Sequence, residues 1–280
     1  MSAKIEGDDL QRKIVAMENI AKVFASRNMI ESVERIRELQ QVLSSVLDES
    51  GLKTKFGEFL QDAWNEFIGN NKHRENCIKL VDRLITNAIM ADPVKFHNVT
   101  TESIPSMQER TNARLMLGRL VSILRRSPNM EEEERMVAMN MLYLAMVEGP
   151  FEEDVKACYV WAKLAVKEDV SYDDVSNITI SIISDYFKNK IGNACLFEGW
   201  ERRLRNAIAH FSYSYDKNTK RMMYTDKRAK WNTNYTLDQL ASLYEKLDNV
   251  DELIMIELLI LSLRDICFAK TPPWKESDYL

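Results

Sequence analysis

Apolar residues recur at helical spacing along almost the whole chain. In FGEFLQDAWNEFI, Phe56, Phe59, Leu60, Ala63, Trp64, Phe67 and Ile68 paint one stripe of an amphipathic helix. Leu10, Ile14, Met17, Ala21 and Phe24 mark an earlier helix; Met29, Ile30, Val33, Ile36, Leu43, Val46 and Leu47 mark a second. Ile78, Val81, Leu84, Ile85 and Ala88 continue the pattern until Pro93 stops it. The stretch DPVKFHNVTTESIP, residues 92–105, reads as the first irregular connection. The helix after it turns Leu117, Leu120, Val121 and Leu124 inward.

A restart follows at SPNMEEEE, with Asn129 as N-cap and Glu132 at the capping-box position. The acidic run suits the positive end of the helix dipole. We place a boundary here, separating an N-terminal helical region, 1–128, from a helical domain, 129–280. Further helices are predicted over 130–148, 152–168, 172–189 and 194–210. The texture then changes. FSYSYDKNTKRMMYTDK alternates aromatic and polar residues around Asp216, Lys217 and Asn218, which predicts a short β-hairpin. Thr236, with Gln239 three residues on, caps a helix that runs through Leu247, pauses at DNVD and continues to about Lys270, before Pro272 and Pro273. The predicted fold is all-α: a helical bundle with a short β-hairpin insertion before the C-terminal helices.

Composition sharpens this picture. In 280 residues there are only 8 glycines and 6 prolines, so long stretches lack turn punctuation, which favours helix. Apolar residues at 45% and charged residues at 29% describe a globular chain. Cys77, Cys158, Cys195 and Cys267 form no CxxC pair and sit among apolar neighbours, as buried free thiols do. MSAKIEGDD has no apolar core for a signal peptide, and ELIMIELLILSL is too short to span a bilayer. The expectation is a cytoplasmic protein with no membrane partner.

Most catalytic signatures are missing: no phosphate-binding glycine loop, no HExxH, no nucleophile elbow. Of the 3 histidines, His73 reads as a solvated helix-start residue and His97 as a loop residue. None has a cysteine or histidine at metal-ligand spacing, so neither metal nor cofactor is expected. His210 differs in its company. Arg205 lies five residues before it, and Asn206 follows the arginine, one turn from the histidine on nearly the same face. From Arg202 to Lys230 nine basic residues face only Asp216 and Asp226, a local balance of +7 in a chain of net charge −5. Arg202, Arg203, Lys220, Arg221, Lys227 and Arg228 would hold phosphates, and aromatics such as Tyr213 would stack unpaired bases.

The segment RNAIAH resembles the R-[NHD]-x-x-x-H signature of the HEPN superfamily, all-helical proteins that include RNA-cleaving toxins and defence nucleases. The likeness extends over residues 195–270: a motif-bearing helix, an aromatic–polar hairpin, then YTLDQL opening a long apolar helix. It implies a metal-independent endoribonuclease acting on single-stranded RNA through 2′-hydroxyl attack. Arg205 and His210 would be catalytic and Asn206 supporting, in a composite site at a homodimer interface. It also brings in a toxin or antiviral role and an antitoxin or regulatory partner.

The residues suit that chemistry independently. Histidine titrates near neutrality, and the arginine fork matches phosphate oxygens. On one ideal helix Arg205 and His210 lie about 140° apart, so two copies would pool them better than one. The alternative is a non-catalytic HEPN-like RNA- or nucleotide-binding or scaffold protein. There Arg205 would pair with Glu201 one turn earlier, and His210 would only end a helix.

Overall fold

Among the described residues, most helices form where the apolar spacing predicts them. In the computed structural model the described residues are 68–69, 71–127, 129–226 and 230–268. The helices expected over 10–24, 29–47 and 56–68 fall almost wholly outside these residues. The chain divides into two units, Met1–Lys72 with Ile256–Leu280, and His73–Met255. These divisions fall elsewhere than the expected 128/129 boundary, and the second unit runs through it. Of the first unit the described part is a short turn near Ile68, residues 71 and 72, and helical backbone from Ile256 to Phe268. The second unit holds the sheet and the candidate site.

Helix α1, Lys72–Ala91, buries the predicted stripe Ile78, Val81, Leu84, Ile85 and Ala88. The stretch 92–105 corrects the sequence reading, because it opens helix α2, Pro93–Arg126, instead of a loop. Asp92 caps it by accepting a 2.9 Å hydrogen bond from the Lys95 N–H. Pro93 is tolerated in the first turn, where its missing N–H has no intrahelical partner to lose. His97 is therefore helical. On the inner face Val121 and Leu124 are buried as expected, whereas Leu120 is exposed.

Helix α3, Glu132–Met146, starts two residues later than Asn129 would set it. Glu131 is its N-cap, and the Glu134 carboxylate accepts from the Glu131 N–H at 3.0 Å. A π-helical segment, Val147–Phe151, follows; Gly149 leaves helical geometry and Pro150 interrupts the ladder, so the chain kinks. Helix α4, Glu152–Ala165, is buried almost all round, from Asp154 through Ala162, and is the central helix of the unit. The single helix expected over 172–189 is broken. α5, Tyr172–Val175, is capped by Ser171, and α6, Ile180–Tyr186, restarts after Thr179 and widens into a π segment, Phe187–Ile191, that left-handed Gly192 ends.

A short 3₁₀ turn, Cys195–Phe197, leads to helix α7, Arg202–Ala209. The hairpin is there, with one strand more than predicted. β1 (Tyr213–Asp216), β2 (Arg221–Asp226) and β3 (Trp231–Tyr235) form an antiparallel sheet in that order. Tyr213 pairs with Tyr224, and Tyr224 with Thr233. WNTNY carries too many polar residues to show as a strand; β2 supplies the apolar face, burying Met222 and Tyr224. The described residues are thus mostly helical, in line with the all-α expectation, with a small three-stranded antiparallel sheet in place of the expected hairpin. No helix among the described residues is long and apolar enough to cross a membrane.

Thr236 and Gln239 cap helix α8, Leu237–Phe268, as predicted: the Gln239 N–H donates to Thr236 Oγ1, and the Thr236 N–H to Gln239 Oε1. The expected pause at DNVD does not occur. The polar residues there point at two arginines. Arg74 of α1 donates to Asn249 Oδ1 through Nε (2.9 Å) and Nη2 (2.7 Å). Arg114 of α2 holds Asp248 at 2.9 Å and Asp251 at 2.8 Å, and Glu252 lies 3.5 Å from Arg74 and 3.7 Å from Arg114. Burial opposes the Arg114 charge, but these carboxylates outweigh it and raise its pKa.

His73 corrects the picture of a solvated helix start. Its Nε2 donates to the Cys195 carbonyl at 3.1 Å and lies 3.5 Å from Cys77 Sγ. Cys77, Cys158 and Cys195 are buried free thiols, as expected. Burial lowers the His73 pKa below its ordinary 6.5, with Glu198 and the Cys195 carbonyl pulling the other way.

Two outcomes are expected. Removing a buried charge partner typically costs about 3–5 kcal/mol, so Arg114→Met should lower stability by that much in urea denaturation. A loss below about 1 kcal/mol would show that the cluster is solvated and weak. Burial makes folded His73 bind a proton less readily than the unfolded chain does. Its contribution is complete above pH 6.5 and is lost as pH falls below it, with a slope of at most about 1.4 kcal/mol per pH unit. His73→Gln should flatten the stability–pH curve there; an unchanged slope would contradict the assignment.

Candidate functional site

Three contacts set where α7 begins. At Gly199 the chain passes so close to α8 that an added Cβ would lie 2.6 Å from the Leu243 carbonyl oxygen and 2.8 Å from Lys246 Cβ. The fully buried Tyr143 hydroxyl donates to the Gly199 carbonyl at 3.1 Å and accepts from the Glu201 N–H at 3.0 Å. The Glu201 carboxylate in turn accepts from the Tyr235 hydroxyl on β3. The entry to α7 is therefore tied to α3, α8 and the sheet at once. Burial pushes the Tyr143 phenol well up, so it stays a neutral donor.

Along α7, Leu204, Ala207 and Ile208 form the buried face and pack toward α3 and β2. Arg202 and Arg203 are exposed. Arg205 lies between these faces. Its Nη1 donates to Asn206 Oδ1 at 3.1 Å, and its Nη2 makes an ion pair with the Glu148 carboxylate. Glu148 projects from the π-helical kink after α3, so the backbone irregularity delivers the partner. The pairing with Glu201 expected in the non-catalytic alternative is not formed, because Glu201 is taken by Tyr235.

The helix ends in a Schellman motif. The Phe211 N–H donates to the Ile208 carbonyl at 3.0 Å and the Ser212 N–H to the Ala207 carbonyl at 2.8 Å. His210 is the C-cap residue, its N–H on the Asn206 carbonyl at 3.0 Å. It is exposed, and no described residue hydrogen-bonds its imidazole. Arg205 and Asn206 are thus brought into contact, while His210 stands one turn away with its ring facing solvent. Phe211 takes the position that favours glycine, at φ 52°, and is 74% exposed. A left-handed side chain there costs about 1–2 kcal/mol, and the ring forgoes burial of roughly 1.5–3 kcal/mol.

The expected phosphate-binding residues fare differently. Lys220 is exposed but lies 3.5 Å from Glu132, and Lys217 lies 3.8 Å from Glu133. Arg221 donates to Asn234 across the sheet. Lys227 and Arg228 fall outside the described residues. The half-buried Tyr213 ring sits 6.3 Å from Phe211 and 6.1 Å from Tyr224, and Tyr224 continues the row to Tyr235 at 5.8 Å. The acidic start of α3 therefore offsets part of the basic charge that the sequence concentrates in this segment. Among the described residues no His, Cys, Asp or Glu cluster is placed to hold a metal ion.

Sequence reasoning missed Glu148 and Tyr143, and it placed Glu132 in a helix cap without its pairing to Lys220. The only local signal was the glycine–proline pair after Glu148, which marks a break in a helix but not what the break presents. Comparison with protein-family models, curated proteins and solved structures finds no match for this chain.

Tyr143→Phe should leave the Gly199 carbonyl and the Glu201 N–H unpaired, a loss of about 1–3 kcal/mol by chemical denaturation. Gly199→Ala should cost at least as much, since backbone atoms of α8 would have to move. A neutral Tyr143→Phe would show that water replaces the hydroxyl and that the clamp does not hold α7.

Proposed function

We propose that the chain is a HEPN-type endoribonuclease that cleaves single-stranded RNA without a metal. One observation carries this reading: a contact pair, Arg205 with Asn206, lies one turn before an exposed histidine at the end of the same short helix. His210 would take the proton of a ribose 2′-hydroxyl, and that oxygen would attack the adjacent phosphorus. The bond to the 5′-oxygen then breaks, and the leaving oxygen receives a proton. Arg205 would stabilise the charge that builds on the phosphoryl oxygens. Asn206 would hold the guanidinium in place, with Glu148 on its other side.

A homodimer fits this reading, because each α7 offers its histidine and arginine at different azimuths. A two-fold partner would supply the second histidine as acid for the leaving oxygen. A toxin or defence effector restrained by a regulatory partner is the biological setting that accompanies the resemblance.

A second reading is favoured by one observation of its own. The Arg205 guanidinium is engaged by Asn206 and Glu148 within the chain, as in a non-catalytic HEPN-like RNA- or nucleotide-binding or scaffold protein.

Variants separate the two. For the nuclease, His210→Ala should lose about 10²–10⁴-fold in cleavage rate and Arg205→Ala about 10²–10³-fold, with Asn206→Ala milder. Wild-type cleavage should persist in EDTA. Thermal stability should barely change, since an exposed ion pair contributes less than about 1 kcal/mol. An inert wild type, with a clear melting-temperature loss in Arg205→Ala, would support the scaffold instead.

A further inference from the structure

Phe211 is placed against its own stability: its backbone is left-handed and its ring is 74% exposed. Glycine would close the same Schellman turn without strain. The ring does not stand alone, since Tyr213 lies 6.3 Å away, with the two planes inclined at 35°. Tyr213 is itself backed by Tyr224, whose hydroxyl donates to Asn140 Oδ1 at 2.6 Å on α3. An outward aromatic is thus propped on a ring row anchored in the core.

The position relative to the chemistry is equally specific. His210 immediately precedes Phe211, and the αL turn that exposes the ring also ends the helix at the histidine. We propose that Phe211 is the stacking platform for an unpaired nucleobase beside the scissile phosphate; this rests on the ribonuclease reading of His210 and Arg205. An aromatic face accepts any base, so the platform would confer a preference for single-stranded RNA without sequence readout. The exposed residues nearest in the chain, His210, Ser214, Lys217 and Asn218, are polar or charged, as are the exposed Arg202 and Arg203 on the same helix as His210. That setting suits a base flanked by phosphate better than the apolar centre of a protein interface.

The test uses the full chain and a short single-stranded RNA carrying 2-aminopurine, with every ribose 2′-O-methylated so that it binds without being cut. Base stacking quenches the fluorophore. Phe211→Gly should keep or raise the melting temperature, while losing the quench and about tenfold in affinity, the size of one base–aromatic stack. Phe211→Trp should retain both. On unmodified RNA, Phe211→Gly should raise KM about tenfold and leave kcat within a factor of a few. If the wild type cleaves RNA and Phe211→Gly binds, quenches and cleaves equally well, the platform is refuted while the ribonuclease reading stands. If the wild type neither binds nor cleaves RNA, and Phe211→Gly converts a dimer to monomer in sedimentation, the ring belongs to a protein contact and both fail.

Discussion

Two arginines inserted among the carboxylates of α8 constrain the rest of the second unit. Asp248, Asp251 and Glu252 sit on a helix whose neighbouring residues, Leu247, Val250, Leu253 and Ile254, are core. Carboxylates there cannot be left uncompensated, because an unpaired buried charge costs several kcal/mol. Arg114 from α2 and Arg74 from α1 meet that requirement and fix both helices against α8. The consequence reaches the candidate site. α8 also presents the Leu243 carbonyl against which only a glycine fits, and Gly199 at that point starts the approach to α7. Tyr143 then holds the residues on either side of Trp200, and α7 leaves at a set angle with His210 at its far end.

The electrostatics of the site are closer to balance than its basic residues suggest. Arg205 is shared between Asn206 and Glu148, and Lys217 and Lys220 face the acidic start of α3. A phosphate approaching this surface would exchange partners with carboxylates already present. Glu148 is delivered by the Gly149–Pro150 kink, so an irregularity in one helix shapes the charge of another.

What the sequence displayed was local. The stripe from Ile78 to Ala88, the caps at Thr236 and Gln239, the buried thiols and the first two strands all follow from residues within a few positions of one another. The errors came where a distant group changed a local meaning. Asn249 and Asp251 look like a helix break until Arg74 and Arg114 are placed against them. Residues 92–105 look irregular because a proline stands near their start, yet at the first helical position it is harmless. β3 reads as polar because β2 supplies its apolar neighbours. At the site, the order Arg205, Asn206, His210 was visible in the chain. Glu148 and Tyr143, more than fifty residues away, carried no signal tying them to it.

The central claim is that a ribose hydroxyl, activated by His210, is the nucleophile. The chemistry of the product ends tests it most directly. Single-stranded RNA incubated with the full chain in EDTA, with the fragments read by mass spectrometry, should carry 2′,3′-cyclic phosphate and 5′-hydroxyl ends. Fragments with 3′-hydroxyl and 5′-phosphate ends would mean that water attacks instead, and would contradict the account.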